Sequence, residues 1–322
     1  MNLRPLGTTG LQVSEVGFGA WGIGQSMWIG AEDEESLRAL NRAIDLGLNF
    51  IDTALGYGDG HSEQLVGQVV RERPEEIFVA TKVPPKNGIW PAPDGVAADD
   101  AFPDDHVRDC ANQSLRNLGL DTIDILQFHV WSDEWVGHGS WLSAIEELKA
   151  EGKIRFFGIS INDHQPANAL KLIESGVLDT VQVIYNVFDQ SPEDELLPAC
   201  ERHDVGVIVR VPLDEGGLTG RITPETEFEE GDFRARYFRG DRKAEVQERA
   251  RAVAAELGSD EDGLAEIALR YILSHPAVST VIPGMRSVRN VDRNIAVADG
   301  KGLPPEQVKR LHAHRWVRDF YH

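Results

Sequence analysis

The sequence predicts an α/β protein in which eight parallel strands close into a barrel, a (β/α)8 TIM-type fold. Three observations lead there. Strand-like and helix-like segments alternate along the chain. The strand-like segments number eight, enough for a parallel sheet to close on itself. Reactive polar side chains gather where consecutive strand segments end, which is where parallel barrels carry their sites. An open doubly wound sheet is the competing arrangement.

The strand segments are residues 13–21, 48–53, 77–83, 123–130, 154–160, 180–186, 205–211 and 279–284. Most of them carry several Val, Ile or Phe residues, as strands do. The segments between them carry helical periodicity. Leu37, Leu40, Ala43 and Ile44 share one helical face, as do Ala144, Ile145 and Leu148. Leu264, Ile267, Ala268, Tyr271 and Ile272 form another such face. Leu46-Gly47, Leu118-Gly119 and Ser175-Gly176 read as helix ends, since glycine accepts the left-handed cap conformation. No linker or composition break divides residues 1–322, so one domain is expected. Two long insertions leave strand ends, residues 84–105 and 216–243. Long loops at such places usually carry function, although their acidic parts read as surface excursions.

Apolar content of 41% and charged content of 26% are those of a water-soluble globular chain. No apolar run is long enough to span a bilayer, and the start MNLRPLGTTG lacks an apolar signal core. Cys110 and Cys200 lie far apart in helix-like segments, which suits a reducing compartment. A cytoplasmic location is therefore expected. The net charge of −21 argues against nucleic acid as a partner, because phosphate recognition needs a basic field. Oligomeric state is left open.

The most informative string is DTALGYGDGHSE, residues 52–63. It places Asp52 and Tyr57 on one strand-to-helix turn. Lys82 ends the next strand segment and His129 ends the one after. A phenol titrates near pH 10 and is a poor acid at neutrality. A neighbouring ammonium favours the phenolate and draws that value down, and Asp52 can keep the ammonium charged. His129 can then hold a substrate oxygen. Such a set suits proton delivery to an oxygen as a carbonyl becomes an alcohol. Taken singly, each residue reads as well as a salt bridge, a loop aromatic or a core histidine. Their shared placement favours catalysis.

On these motifs, with GTTGLQVSEVGFGAW, GKIRFFGIS and VIPGMRSVRNVDRN, the chain resembles the aldo-keto reductases from about Leu6 to Asn294. The resemblance implies a barrel capped by an N-terminal hairpin, and Asp52, Tyr57, Lys82 and His129 as a catalytic tetrad. It also implies a nicotinamide hydride carrier, NADPH/NADP+ in most members with NADH possible, lying across the barrel mouth. Gly19 and Trp21 match positions beside the nicotinamide and substrate. Ser160 and Asn162, here split by Ile161, lie where the family holds the carboxamide, and Gln182 matches its other contact. Arg210 replaces the aromatic ring that many members stack on the nicotinamide. Val211, Pro212, Leu213, Gly217, Leu218, Thr219 and Gly220 match the loop over the pyrophosphate.

Gly284 ends the last strand segment and is expected, with Arg286, Asn290 and Asn294 beyond it, among the cofactor contacts; Asn290 and Asn294 match the family's adenine side. A helix starting near Ser287 would offer free N–H groups to a phosphate, with Arg286 as a bidentate partner for a ribose 2′-phosphate. Arg289 and Arg293 read nearly as well as a solvated helix face. Gly17, Gly19 and Gly22 spell G-x-G-x-x-G, but no helical pattern follows until after Asp33, so the dinucleotide fingerprint is rejected. His312 and His314 lack further ligands at useful spacing, and no metal site is expected. Trp21, Trp28, Trp90 and Trp131 lie in or after strand ends and are expected to wall the pocket for a small carbonyl or alcohol, although Trp28 and Trp131 would serve equally as packing. A nicotinamide-binding regulatory or redox-sensing barrel with little turnover is an alternative of another class. A sugar or polyol dehydrogenase working toward oxidation would share every catalytic residue.

Overall fold

A computed structural model describes residues 1–321. An antiparallel hairpin, β1 (Leu3–Pro5) and β2 (Gln12–Ser14), precedes eight parallel strands. These are β3 (Phe18–Gly19), β4 (Phe50–Asp52), β5 (Phe78–Val83), β6 (Ile123–Phe128), β7 (Ile154–Ser160), β8 (Thr180–Ile184), β9 (Gly206–Arg210) and β10 (Val278–Val281). They follow one another in chain order around the sheet. Parallel bridges from Val16 to Val281 and from Gly19 to Gly284 close the ring. Gly19 N–H donates to Pro283 O at 3.1 Å across that seam, where a Cβ on Gly19 would lie 2.5 Å from Ile282 O. Only glycine allows the backbones to meet there.

The first strand differs from its expected span. Val13 and Ser14 belong to the hairpin, and residues 21–23 form a 3-10 turn. Between Ser14 and Phe18 the pairing passes from the hairpin to the barrel. The expected hairpin closes the bottom of the barrel. Its Leu6, Leu11 and Val13 pack on Phe50, Phe78, Ala80, Ile125, Ile208 and Ile282.

Amphipathic helices cover the outside, beginning with α1 (Asp33–Asp45), α2 (His61–Glu72), α3 (Ala98–Ala101) and α4 (Asp104–Leu118). Gly47, Gly119 and Gly176 adopt positive φ just past helix ends, at 90°, 63° and 73°. Among the described residues no helix is long and apolar enough to cross a membrane.

Period-two alternation carries the bottom-to-mouth polarity. Phe50, Ala80, Ile125 and Ile208 point into the apolar floor. Two residues further along the same strands stand Asp52, Lys82, Gln127 and Arg210. The inner face therefore turns from apolar to polar on approaching the C-terminal mouth.

The 216–243 insertion is packed rather than a free excursion. Its Ile222, Tyr237 and Phe238 form an apolar cluster with Val246 and Phe320 of the C-terminal tail. Asp232, inside it, is buried and ion-paired to Arg234 at 2.6 Å.

Candidate active site

The centre of the mouth is a chain of short polar contacts. Lys82 Nζ donates to Asp52 Oδ2 at 2.6 Å, to Thr53 O at 2.8 Å and to Tyr57 OH at 3.3 Å. Lys82 is fully buried and Asp52 only 2% exposed, so the pair sits where its attraction is little screened. Burial opposes the charge on Lys82, but Asp52 and Tyr57 outweigh it and raise the ammonium's pKa. The Tyr57 phenol is pushed up by burial, and Lys82 offsets only part of that. The sequence predicts that the lysine dominates; in the folded chain burial does. His129 is held well below the usual imidazole range by burial, Lys82 and Arg210. It is thus a neutral ring, with Nδ1 buried and without a hydrogen-bond partner among the described residues. Its centroid lies 5.6 Å from Tyr57 and 4.4 Å from Trp90.

A second layer stands behind the carboxylate. Asp52 Oδ1 accepts from Gln182 Nε2 at 2.7 Å and from Gln127 Nε2 at 3.1 Å, and Gln182 Nε2 is 3.2 Å from Gln127 Oε1. Gln182 thus has its N–H group on Asp52 while also lining the cavity above. Sequence reasoning missed Gln127. A signal for it exists: it precedes His129 by two positions, on the inward face of a strand.

From this centre a cavity of about 930 Å³ extends across the mouth. Trp21, Trp28, Trp90, Met27, Phe233 and Tyr321 line it with Tyr57 and His129. Gly19, Ser160, Arg210, Val211, Pro212, Leu213 and Thr219 form another stretch of wall. Gly284, Arg286, Asn290, Arg293 and Asn294 line it as well. Arg293 thus belongs to the wall, whereas Arg289 is exposed and outside it.

Several expected contacts are placed elsewhere. Trp131 is a correction: it is fully buried between strand and helices, 5.5 Å from Trp135 and 5.2 Å from Trp141, with Nε1 donating to Asp133. It packs the core and does not wall the cavity. Asn162 also lies off the wall; its Nδ2 donates to Ala92 O at 3.3 Å and Gln165 Oε1 at 3.1 Å, tying down the 84–105 insertion. Gly217, Leu218 and Gly220 support the lip from beneath: Leu218 is fully buried, and a Cβ on Gly220 would lie 2.6 Å from Glu261 O.

Arg210 Nη2 donates to Asp163 Oδ1 at 2.7 Å and Ile161 O at 2.9 Å, so its charge is partnered. Sequence reasoning also missed Glu215 and Tyr321. Tyr321 OH donates to Glu215 Oε1 at 2.7 Å, and burial lifts that carboxyl to about 7. The adjoining Asp214 pairs with Arg318 and accepts from Tyr237 OH at 2.8 Å. The tail thereby holds two consecutive acids of the lip.

These walls fit an extended dinucleotide. A Cβ on Gly284 would meet nothing within 4 Å, so the backbone there is open to a ligand. Arg286 and Asn290 offer donors at the N-terminal end of helix Val288–Ile295, and Arg293 and Asn294 offer more along its last turn. Asp52, Tyr57 and His129 line the same cavity as this donor set.

Comparison with known proteins agrees. The model of the "Aldo/keto reductase family" matches residues 15–315. An uncharacterized oxidoreductase of Bacillus subtilis (strain 168) is 32% identical over 98% of this chain and 96% of its own. An NADH-specific methylglyoxal reductase of Escherichia coli (strain K12) is 30% identical over 92% of this chain and 93% of its own. The holo form of an aldo-keto reductase from Bacillus halodurans superposes with a TM-score of 0.77 at 29% identity, covering 98% of this chain and 96% of that one. With its closed barrel, its polar mouth and a family match over nearly its whole length, the chain belongs to the aldo/keto reductase family of oxidoreductases.

Proposed function

We propose that this oxidoreductase interconverts a small carbonyl compound and its alcohol using NADP(H), with Tyr57 as the proton donor in reduction and the acceptor in oxidation. The observation that carries the reading is the single ammonium of Lys82 shared between Asp52 at 2.6 Å and Tyr57 at 3.3 Å. A bound reduced nicotinamide supplies the hydride that reaches the carbonyl carbon. The chain's own groups do the rest. Neutral His129 and the Tyr57 hydroxyl converge on the position of the carbonyl oxygen. Tyr57 passes its proton to that oxygen as negative charge builds on it, and Lys82 stabilises the phenolate left behind. Asp52 keeps Lys82 charged in a buried setting that would otherwise favour the neutral amine. Trp21, Trp28, Trp90 and Phe233 line the cavity with apolar surface, which orients the substrate and excludes water.

Arg286 and the neighbouring helix start support NADPH as the preferred carrier. The NADH-specific relative named above makes NADH the second reading, since it shows that a protein this similar can use the other carrier.

Tyr57→Phe tests the role directly. Turnover of NADPH with a panel of aldehydes and ketones should fall by about 10²–10⁴, the usual worth of general acid catalysis. Cofactor affinity, read by fluorescence quenching, should be kept. Undiminished turnover in Tyr57→Phe would remove the phenol from the mechanism. Absence of turnover with every substrate of the panel in the unmodified protein would favour the binding-only alternative.

A further inference from the structure

Beside the proton relay lies a further buried amide. Gln127 is fully buried on β6, inside the barrel, in the same layer as Lys82. It is the register partner of Lys82 on one side and of Gly158 on the other. Gly158 is what lets it lie there: a Cβ at that position would come within 3.0 Å of Gln127 Cγ and would also strike Thr180 Oγ1. The sheet therefore gives up a side chain on the neighbouring strand so that a glutamine can extend across the barrel axis toward Asp52.

What the amide does there follows from its contacts. Asp52 has two oxygens. Oδ2 takes the ammonium of Lys82, while Oδ1 accepts from both Gln182 and Gln127. A buried carboxylate free to rotate could offer either oxygen to Lys82 and draw the ammonium away from Tyr57. Two donors on Oδ1 lock the plane of the carboxylate and absorb part of its charge. Gln182 lines the cavity and is open to whatever binds there, whereas Gln127 does not reach the wall. The side-chain hydrogen bonds of Gln127 are with Asp52 and Gln182 alone among the described residues.

We propose that Gln127 is a positioning residue for proton transfer, anchoring Oδ1 of Asp52 so that the ammonium of Lys82 stays poised at Tyr57. The inference rests on the reading of Tyr57 as the proton donor and acceptor. Asp52 raises the proton affinity of Tyr57 and Lys82 lowers it. Removing an amide N–H from Asp52 strengthens the carboxylate's field and pulls Lys82 toward it. Both changes push the phenol in the same direction, toward tighter proton binding.

The test is Gln127→Met, which keeps the length of the side chain and removes its donor, with Gln127→Leu as a second variant should the first fold poorly. Oxidation of the best alcohol from a screen of primary and secondary alcohols, with NADP+ or NAD+, should rise with pH as Tyr57 loses its proton. In the variant this rise should move to higher pH by about half to one unit, making kcat about three- to tenfold lower at any pH below it. KM for the alcohol and the affinity for NADPH should stay within about twofold, because Gln127 does not itself line the cavity. A substrate-free reading is the tyrosinate absorbance that separates each protein from its own Tyr57→Phe counterpart; it should move by the same amount. A core-packing role would lower the melting temperature and leave both titrations in place.

An unmoved pH profile and unmoved tyrosinate titration in Gln127→Met, with Tyr57→Phe inactive, would overturn the role of Gln127 alone. A loss confined to KM or cofactor affinity would overturn it too. Full activity in Tyr57→Phe would instead overturn the reading of Tyr57, and the role of Gln127 with it.

Discussion

The side chain of Arg286 crosses Gly22 so closely that a Cβ on Gly22 would lie 2.8 Å from Arg286 Cδ. The last glycine of the deceptive G-x-G-x-x-G string thus serves another end, making room for a cation on the cavity wall. Arg286 Nη1 donates to Ile29 O at 2.7 Å, and the guanidinium lies 5.5 Å from the Trp28 ring, so the side chain is held from both sides.

If that guanidinium grips a 2′-phosphate, NADPH should bind about tenfold or more tightly than NADH, the worth of a charge-assisted contact. Arg286→Ala should remove the preference by weakening NADPH and sparing NADH. Gly22→Ala should act in the same direction by displacing the arginine. The preference should shrink as salt rises. Fluorescence titration of both cofactors decides the matter, and equal affinities in the unmodified protein would make the enzyme dual-specific or NAD-linked.

Lys82→Met should destabilise the protein as well as silence it. It leaves Asp52 as a buried charge without its cation, which typically costs about 3–5 kcal/mol. Asp52→Asn combined with Lys82→Met should recover part of that loss and none of the turnover. Urea unfolding alongside steady-state assays separates the two effects.

Trp131 and Trp90 should behave oppositely, although both follow strand ends. Trp131→Ala opens a void in a packed aromatic cluster and should cost about 3–5 kcal/mol. Trp90 is 50% exposed and lies against His129. Trp90→Ala should leave stability within about 1 kcal/mol and act on KM instead. Thermal melts and kinetics on the pair of variants check both halves.

Glu215 makes stability depend on pH. Its folded pKa of about 7 lies above the ordinary glutamate value of 4.5, so the folded chain holds this proton more tightly than the unfolded one. The resulting stabilisation is complete below the unfolded value and is lost as pH rises toward 7, by at most about 3 kcal/mol. Above that point the contribution is flat. Glu215→Gln should remove this slope, measured as the difference in unfolding free energy between variant and parent at pH 5 and pH 8. An identical difference at both pH values would place the carboxyl in its ordinary range.

Much of this architecture is legible in the sequence. Strand-length segments mark every barrel strand, and their ends place Asp52, Lys82 and His129 together. The failures share a physical cause, which is that the direction of a side chain past the end of a strand depends on its tertiary partners. Asp133 and Asn168 turn Trp131 inward by binding its Nε1 and its carbonyl oxygen. Ala92 draws Asn162 away from the wall. The N-terminal strand looks continuous because its apolar pattern is; it divides where pairing passes from the hairpin, Ser14 on Leu3, to the barrel, Phe18 on Ile51. Glu215 and Tyr321 are 106 residues apart, and nothing local announces their contact.

That contact bears on how the protein should be handled. Tyr321 lines the cavity, so a segment attached beyond it would emerge beside the mouth of the barrel. The N-terminal hairpin lies at the opposite, sealed end of the barrel. An affinity tag or reporter belongs on the N-terminal side, and a C-terminal one should be cleaved before kinetics are compared.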